Sequence, residues 1–138
     1  MLQQVPMLYH FFRFAKPVSW LAIIALAVAS WTPGDEMVRT GLNGHLEHVI
    51  AYLLTALAFM LAYPSRSAWH VGLGLAAYAG VLELGQLIVP GRNAAFIDWA
   101  AGIVGAFAGC LLVMGWRAIQ RSLQNAGTGR NRPLAKAK

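Results

Sequence analysis

The chain has 138 residues, 58% of them hydrophobic and 12% charged, with a formal net charge of +6 and a mean hydropathy of +0.54. That apolar content excludes a soluble domain built around one buried core. It leaves a single integral membrane domain made almost entirely of spans, and the length allows only one domain.

Four apolar segments follow one another along the chain. The first runs over residues 17–31, the second over 45–63, the third over 69–89 and the fourth over 97–116. The last three each hold about 19–21 residues, enough to cross a ~30 Å hydrocarbon core at 1.5 Å per residue. The first is shorter and reaches full length if Arg13 and Lys16 snorkel to one interface, with Phe11, Phe12 and Phe14 at headgroup level. Pro17 suits a first helical position, where its missing N–H costs nothing. A secretory signal peptide competes for this segment, with Ala27-Val28-Ala29 as its cleavage site. Trp31-Thr32-Pro33 argues instead for an interfacial anchor followed by a helix stop.

Orientation is read from Lys and Arg. Arg13 and Lys16 precede the first span, Arg66 lies between the second and third, and Arg117, Arg121, Arg130, Arg132, Lys136 and Lys138 follow the fourth. The other two loops hold only Arg39 and Arg92. This pattern predicts two cytoplasmic termini and accounts for the basic balance without a nucleic-acid partner. Residues 1–16 form an N-terminal cytoplasmic or interfacial segment, 17–116 the four-span domain, and 117–138 a basic cytoplasmic tail, polar and flexible after Leu123. The short links predict an all-α, up-down-up-down four-helix bundle whose sequential helices are antiparallel neighbours. Cys110, the single cysteine, reads as a small packing residue with no disulfide partner.

Against this apolar background a few polar residues stand out. An ionisable side chain at membrane depth costs roughly 2.5–3.5 kcal/mol on insertion scales, so it is a functional-site hypothesis by default. His45, His48 and Tyr52 share one face of the second helix. Glu83 and Gln86, three apart, share a face of the third, and Glu83 lies about 9 Å inside its end at 1.5 Å per residue. Arg92 follows in the turn Pro90-Gly91-Arg92. Asp98 opens the fourth helix, on a face that continues through Gly102, Gly105 and Gly109 and allows a neighbouring helix to approach closely. With both termini cytoplasmic, the polar residues form one layer in the outer leaflet.

The order His48-x3-Tyr52, Glu83-x2-Gln86, Pro90-x-Arg92, Asp98, then Gly105 and Gly109 resembles the VanZ-like family of small bacterial integral membrane proteins, over about residues 44–109. Gly44-His45 stands where that family often has Asp-Lys, and Gly102 where an Asn is usual. The resemblance implies a multi-pass four-helix protein of the bacterial inner (cytoplasmic) membrane linked to the cell envelope, without a defined molecular activity.

Two mechanisms suit the polar layer. In the first, it binds an anionic envelope lipid or lipid phosphate: Arg92 supplies bidentate donors, with His45 and His48 as further donors. Glu83 and Asp98 orient them, while Phe96 and Trp99 line an apolar entrance. In the second, pairs such as Arg92–Glu83 and His48–Asp98 form a closed network that fixes helix order. The chain then serves as a non-enzymatic accessory subunit of a larger membrane complex, or as a homo-oligomer. No cofactor and no metal is expected, because His45-x2-His48 lacks the spacing of a diagnostic zinc motif. No serine or cysteine nucleophile stands beside a histidine, so a catalytic residue is not expected either.

Overall fold

A computed structural model describes residues 6–37 and 41–129, almost all of them in four helices. These are α1 (Pro6–Trp31), α2 (Gly44–Ala62), α3 (Ala68–Gln86) and α4 (Phe96–Gly129). Arg39, the stretch from Arg130 to Lys138 and the side chain of Arg13 all enter the charge pattern and lie outside the described residues.

The protein is all-α, and its helices pack as a bundle. Three helices are long and apolar enough to cross a membrane, over Phe14–Trp31, Gly44–Ala62 and Phe96–Gly127. The third segment, expected as a fourth span, forms a helix of 19 residues that is not apolar enough to join them. The cause lies in its glycines and its polar residues, His70, Glu83 and Gln86. A Cβ on Gly72 would come within 2.8 Å of the Phe107 ring, and one on Gly85 within 2.5 Å of the Trp31 indole. Apolar side chains have given way to grooves that receive aromatic rings from α1 and α4.

Three helix ends differ from the sequence expectation. α1 begins at Pro6, so Pro17 is an interior residue of the helix and not its first. α3 stops at Gln86, not Val89, because Leu87, Ile88 and Val89 turn back onto the carbonyls three residues before them and Pro90 follows. α4 continues as a helix through Gly129. Residues 117–125 lack proline and glycine and are mostly good helix formers, so nothing in them stops propagation at Trp116 or Leu123.

The helices alternate in direction, but the tightest interface joins α2 and α4, which run parallel, not two sequential helices. α2 and α3 follow each other across a short link and touch only lightly, and the backbones of α1 and α4 stay more than 8 Å apart, Cα to Cα, among the described residues. The reason is the α4 glycine face. A Cβ on Gly105 would lie 2.2 Å from the Val49 carbonyl oxygen, and one on Gly109 2.6 Å from that of Leu53. Only glycine allows backbone to meet backbone this closely. Around this seam Tyr52, Ala56, Met60, Ala106, Cys110 and Val113 are buried. Large apolar side chains such as Leu21, Leu54, Leu84 and Leu111 face outward, as a lipid-exposed bundle requires.

At one end of the bundle the α1–α2 and α3–α4 loops clasp each other. Gly34 N–H donates to the Pro90 carbonyl at 3.2 Å, and a Cβ on Gly34 would collide with the Gly91 carbonyl. Gly91 has φ +70°, a left-handed conformation that favours glycine. This clasp places Arg92 above the ends of α1 and α3.

Candidate functional site

Helix ends always leave backbone groups without intrahelical partners: N–H at the start, C=O at the finish. At the clasped end two helices finish and two begin, and the polar residues read from the sequence are brought together there. Their partners are mostly those helix ends.

Arg92 donates from Nε to the Thr32 carbonyl at 3.1 Å and from Nη2 to the Ala29 carbonyl. Its guanidinium therefore sits on the C-terminus of α1, where the helix dipole favours a cation. Glu83, only 8% exposed, accepts from the Ala95 N–H at 2.5 Å. The Ala95 carbonyl in turn accepts the first bonds of α4, from Asp98 and Trp99, so Glu83 caps the start of α4 from another helix. The Arg92–Glu83 pair expected from the sequence is not the arrangement found: each charge is held by a helix terminus of the opposite polarity.

Gln86, also buried, completes the α3 part of the layer. Its Nε2 donates to Ser30 Oγ at 2.9 Å and to Glu83 Oε2 at 3.4 Å, tying α3 to α1. Glu83 is shallower than expected, since α3 ends three residues after it. The Asp98 expectation is met with a change of partner. His45 Nδ1–H donates to Asp98 Oδ1 at 2.5 Å, whereas His48 Nδ1 lies 4.0 Å from the same oxygen. His48 Nδ1–H instead donates to the Gly44 carbonyl at 3.0 Å, which leaves Nε2 as an acceptor in the neutral ring. Asn43 caps α2 by accepting from the His45 N–H at 2.9 Å. Tyr52, 3% exposed, lies deeper, with its ring against Gly102.

These residues surround a cleft. An inner chamber of about 130 Å³ is lined by Tyr52, Glu83, Trp99 and Ser30 among others. An outer mouth of about 390 Å³ is lined by Gly34, Gly91, Asn93 and Gly44. The two share Met37, Glu47, His48, Gln86, Arg92 and Asp98, so they adjoin along one wall between the loop end and the bundle. An apolar groove between α3 and α4 adjoins it, with Gly80, Leu84 and Phe96 in its lining and Glu83 and Trp99 shared with the chamber.

Ser30 and the glycines of α3 were not singled out by sequence reasoning. Glu47 belongs with His45, His48 and Tyr52 to the polar start of an apolar helix, and the structure places it in the cleft lining with His48 and Tyr52. Among the described residues no group of three or more His, Cys, Asp or Glu is placed to hold a metal.

Fold and composition together define a small helical membrane protein, multi-pass by the length and apolarity of α1, α2 and α4. No protein-family model, no curated protein and no solved structure matches the chain.

Proposed function

We propose that the chain is a VanZ-like protein of a bacterial cytoplasmic membrane whose cleft receives the phosphate-bearing headgroup of an envelope lipid. The observation that carries this reading is the pair of adjoining cavities at the clasped loops, whose shared wall holds Glu47, His48, Gln86, Arg92 and Asp98. Arg92 has donors beyond the two committed to α1, and a guanidinium is the side chain best matched to a phosphate. Phe96 and Trp99 supply apolar surface beside the chamber for the rest of the lipid. The Lys and Arg pattern puts this end in the outer leaflet. Arg92→Gln should strip phospholipid from the purified protein in a native mass spectrum, and unchanged retention would defeat the reading.

A second reading is supported by the hydrogen bonds themselves. Arg92, Glu83, Gln86 and His45 all have partners within the bundle, and no buried side-chain polar atom among the described residues lacks one. A network this complete suits a scaffold that fixes helix order for docking into a larger membrane assembly or a homo-oligomer. Co-purification with one defined protein in fixed stoichiometry, with no bound lipid, would favour it.

A further inference from the structure

α4 packs on α2 and α3 through one side, and its other side carries an apolar groove built from α4 alone. Ala108 and Gly115, seven residues apart, form its floor. Leu111 stands on one flank, and Leu112 and Ile119 on the other, with Trp116 beyond them. These four large side chains are each more than half exposed. The seven-residue step continues in both directions, to Ala101 and to Ser122, and Val104 repeats Leu111 one step earlier. One line of small residues therefore follows the helix for about 32 Å at 1.5 Å per residue, with an apolar ridge beside it.

Lipid chains account for an exposed apolar face only as far as the membrane reaches. From Phe96 to Trp116 the helix already covers a hydrocarbon core of ~30 Å. Arg117 marks the level at which α2 finishes, since it donates to the Met60 and Pro64 carbonyls. Beyond that level α4 runs on to Gly129, with Ile119 and Leu123 still more than half exposed. Ile119 is also a wall of the groove, so the groove itself passes from the span into the extension. An occupant that covers both stretches is a helix and not an acyl chain.

Copies of this chain inserted in the same orientation present α4 to each other parallel and at equal depth. A two-fold axis along the membrane normal then sets each residue opposite its own counterpart. Small residues meet small residues, which lets the backbones approach, and Val104 and Leu111 pack against their counterparts. A seven-residue repeat is also what keeps two parallel helices in contact as they supercoil. Charge does not oppose the match. Asp98 and Arg117 are both turned to α2, and Arg121 lies one turn on from Arg117 on the same side. We infer that α4 pairs with α4 of a second copy, parallel and in register, through the face that runs from Ala101 to Ser122. The pairing gives the homo-oligomer of the scaffold reading its surface and does not depend on what the cleft holds.

The test uses the full chain in liposomes of phosphatidylethanolamine and phosphatidylglycerol, with Cys110→Ala removing the native thiol. Single cysteines are oxidised with copper phenanthroline, and linked dimer is measured on a denaturing gel. Gly115→Cys and Ser122→Cys should link efficiently. Leu73→Cys on α3 and Val18→Cys on α1, both outward-facing near the same end, should not. Equal linkage from all four sites would mean random collision and overturn the pairing. Linkage at Ser122→Cys without linkage at Gly115→Cys would confine contact to the extension and overturn the span interface. Gly115→Leu is the sharper variant: nothing described in its own chain lies within 4 Å of the new Cβ, so the bundle keeps its fold. It fills the groove floor all the same, and linkage at Ser122→Cys should fall about tenfold or more from overpacking a close contact. Unchanged linkage would overturn the groove as the contact. The unaltered chain should give the mass of two copies in a native mass spectrum from nanodiscs, and one copy, with or without lipid, would overturn the dimer. Arg92→Gln should strip phospholipid and leave linkage intact, so the lipid reading of the cleft fails separately from the pairing.

Discussion

Arg117 donates to the carbonyls of Met60 and Pro64 where α2 finishes, just as Arg92 donates to those of Ala29 and Thr32 where α1 finishes. The two ends of the bundle thus use one device, an arginine from the next-but-one loop or helix placed on a helix C-terminus. Their surroundings differ. Around Arg117 the neighbours are aromatic and basic, with Lys16 5.6 Å from the Tyr63 ring centre and Trp20 Nε1–H donating to the Tyr63 hydroxyl at 3.0 Å. The five acidic residues of the chain all belong to the other end: Asp35 and Glu36 in the α1–α2 loop, Glu47 and Asp98 in first helical turns, and Glu83 near the end of α3. Arginine on a helix terminus is therefore part of the fold. The acids and the cleft are what set one end apart.

The largest effect should fall on what both ends share. Gly105→Leu drives a side chain into the Val49 backbone, where no rotamer change gives relief, and its cost should exceed the ~1–3 kcal/mol of ordinary overpacking. Loss of monodisperse protein in size-exclusion chromatography is expected. Gly115→Leu, at a position with nothing within 4 Å of the new Cβ, should elute normally. If Gly105→Leu is tolerated, the parallel α2–α4 seam does not hold the two ends together.

Next in size, Glu83→Ala should lower thermal stability through the clasped end alone. It strands the Ala95 N–H and removes one acceptor of Gln86, a cost of about 1–3 kcal/mol. Glu83→Gln keeps a carbonyl acceptor and should lose less. Helical circular dichroism on heating in detergent would rank the three proteins, and equal loss in both variants would mean that the charge facing the α4 dipole matters more than the hydrogen bond.

The polar layer was legible in the sequence because its members interrupt apolar helices, and helical spacing put them on shared faces. Gly102, Gly105 and Gly109 were legible for the same reason. What the sequence did not reveal was the partner of each charge. Arg92 and Glu83 look like a pair when side chains are matched with side chains, yet Arg92 is satisfied by backbone carbonyls at the end of α1 and Glu83 by the Ala95 N–H at the start of α4. Those carbonyl and N–H groups are present in every helix and leave no mark in the residue string. The parallel α2–α4 interface was hidden in a similar way: loop length favours sequential neighbours, and the small-residue face overrides it. The glycines of α3 lowered its apolarity without showing that Trp31, Trp99 and Phe107 would fill the space.

Paired variants of the two arginines turn the comparison into a measurement. Arg92→Lys and Arg117→Lys each replace a forked donor with a single ammonium, and each should cost about 0.5–2 kcal/mol of stability. Similar shifts in Tm are expected, since both arginines cap a helix. Retained phospholipid should fall with Arg92→Lys and hold with Arg117→Lys. Equal retention in the two would make Arg92 a cap and no more, which is the scaffold reading.

The smallest predicted difference concerns the two helix starts that face opposite ends. Asn43 caps α2 through its side chain, whereas Ser67, the corresponding residue of α3, makes no side-chain capping bond. Asn43→Ala should therefore cost about 0.5–1 kcal/mol, near the lower end of N-cap losses because the site is exposed. Asn43→Asp should be close to neutral, since it keeps the acceptor and adds a charge that the helix dipole favours. Ser67→Ala should leave Tm unchanged. A loss at Ser67 as large as that at Asn43 would show that the two ends are capped alike. What sets the clasped end apart would then be Glu83, Arg92 and the His45–Asp98 contact, and not the local cap that positions His45.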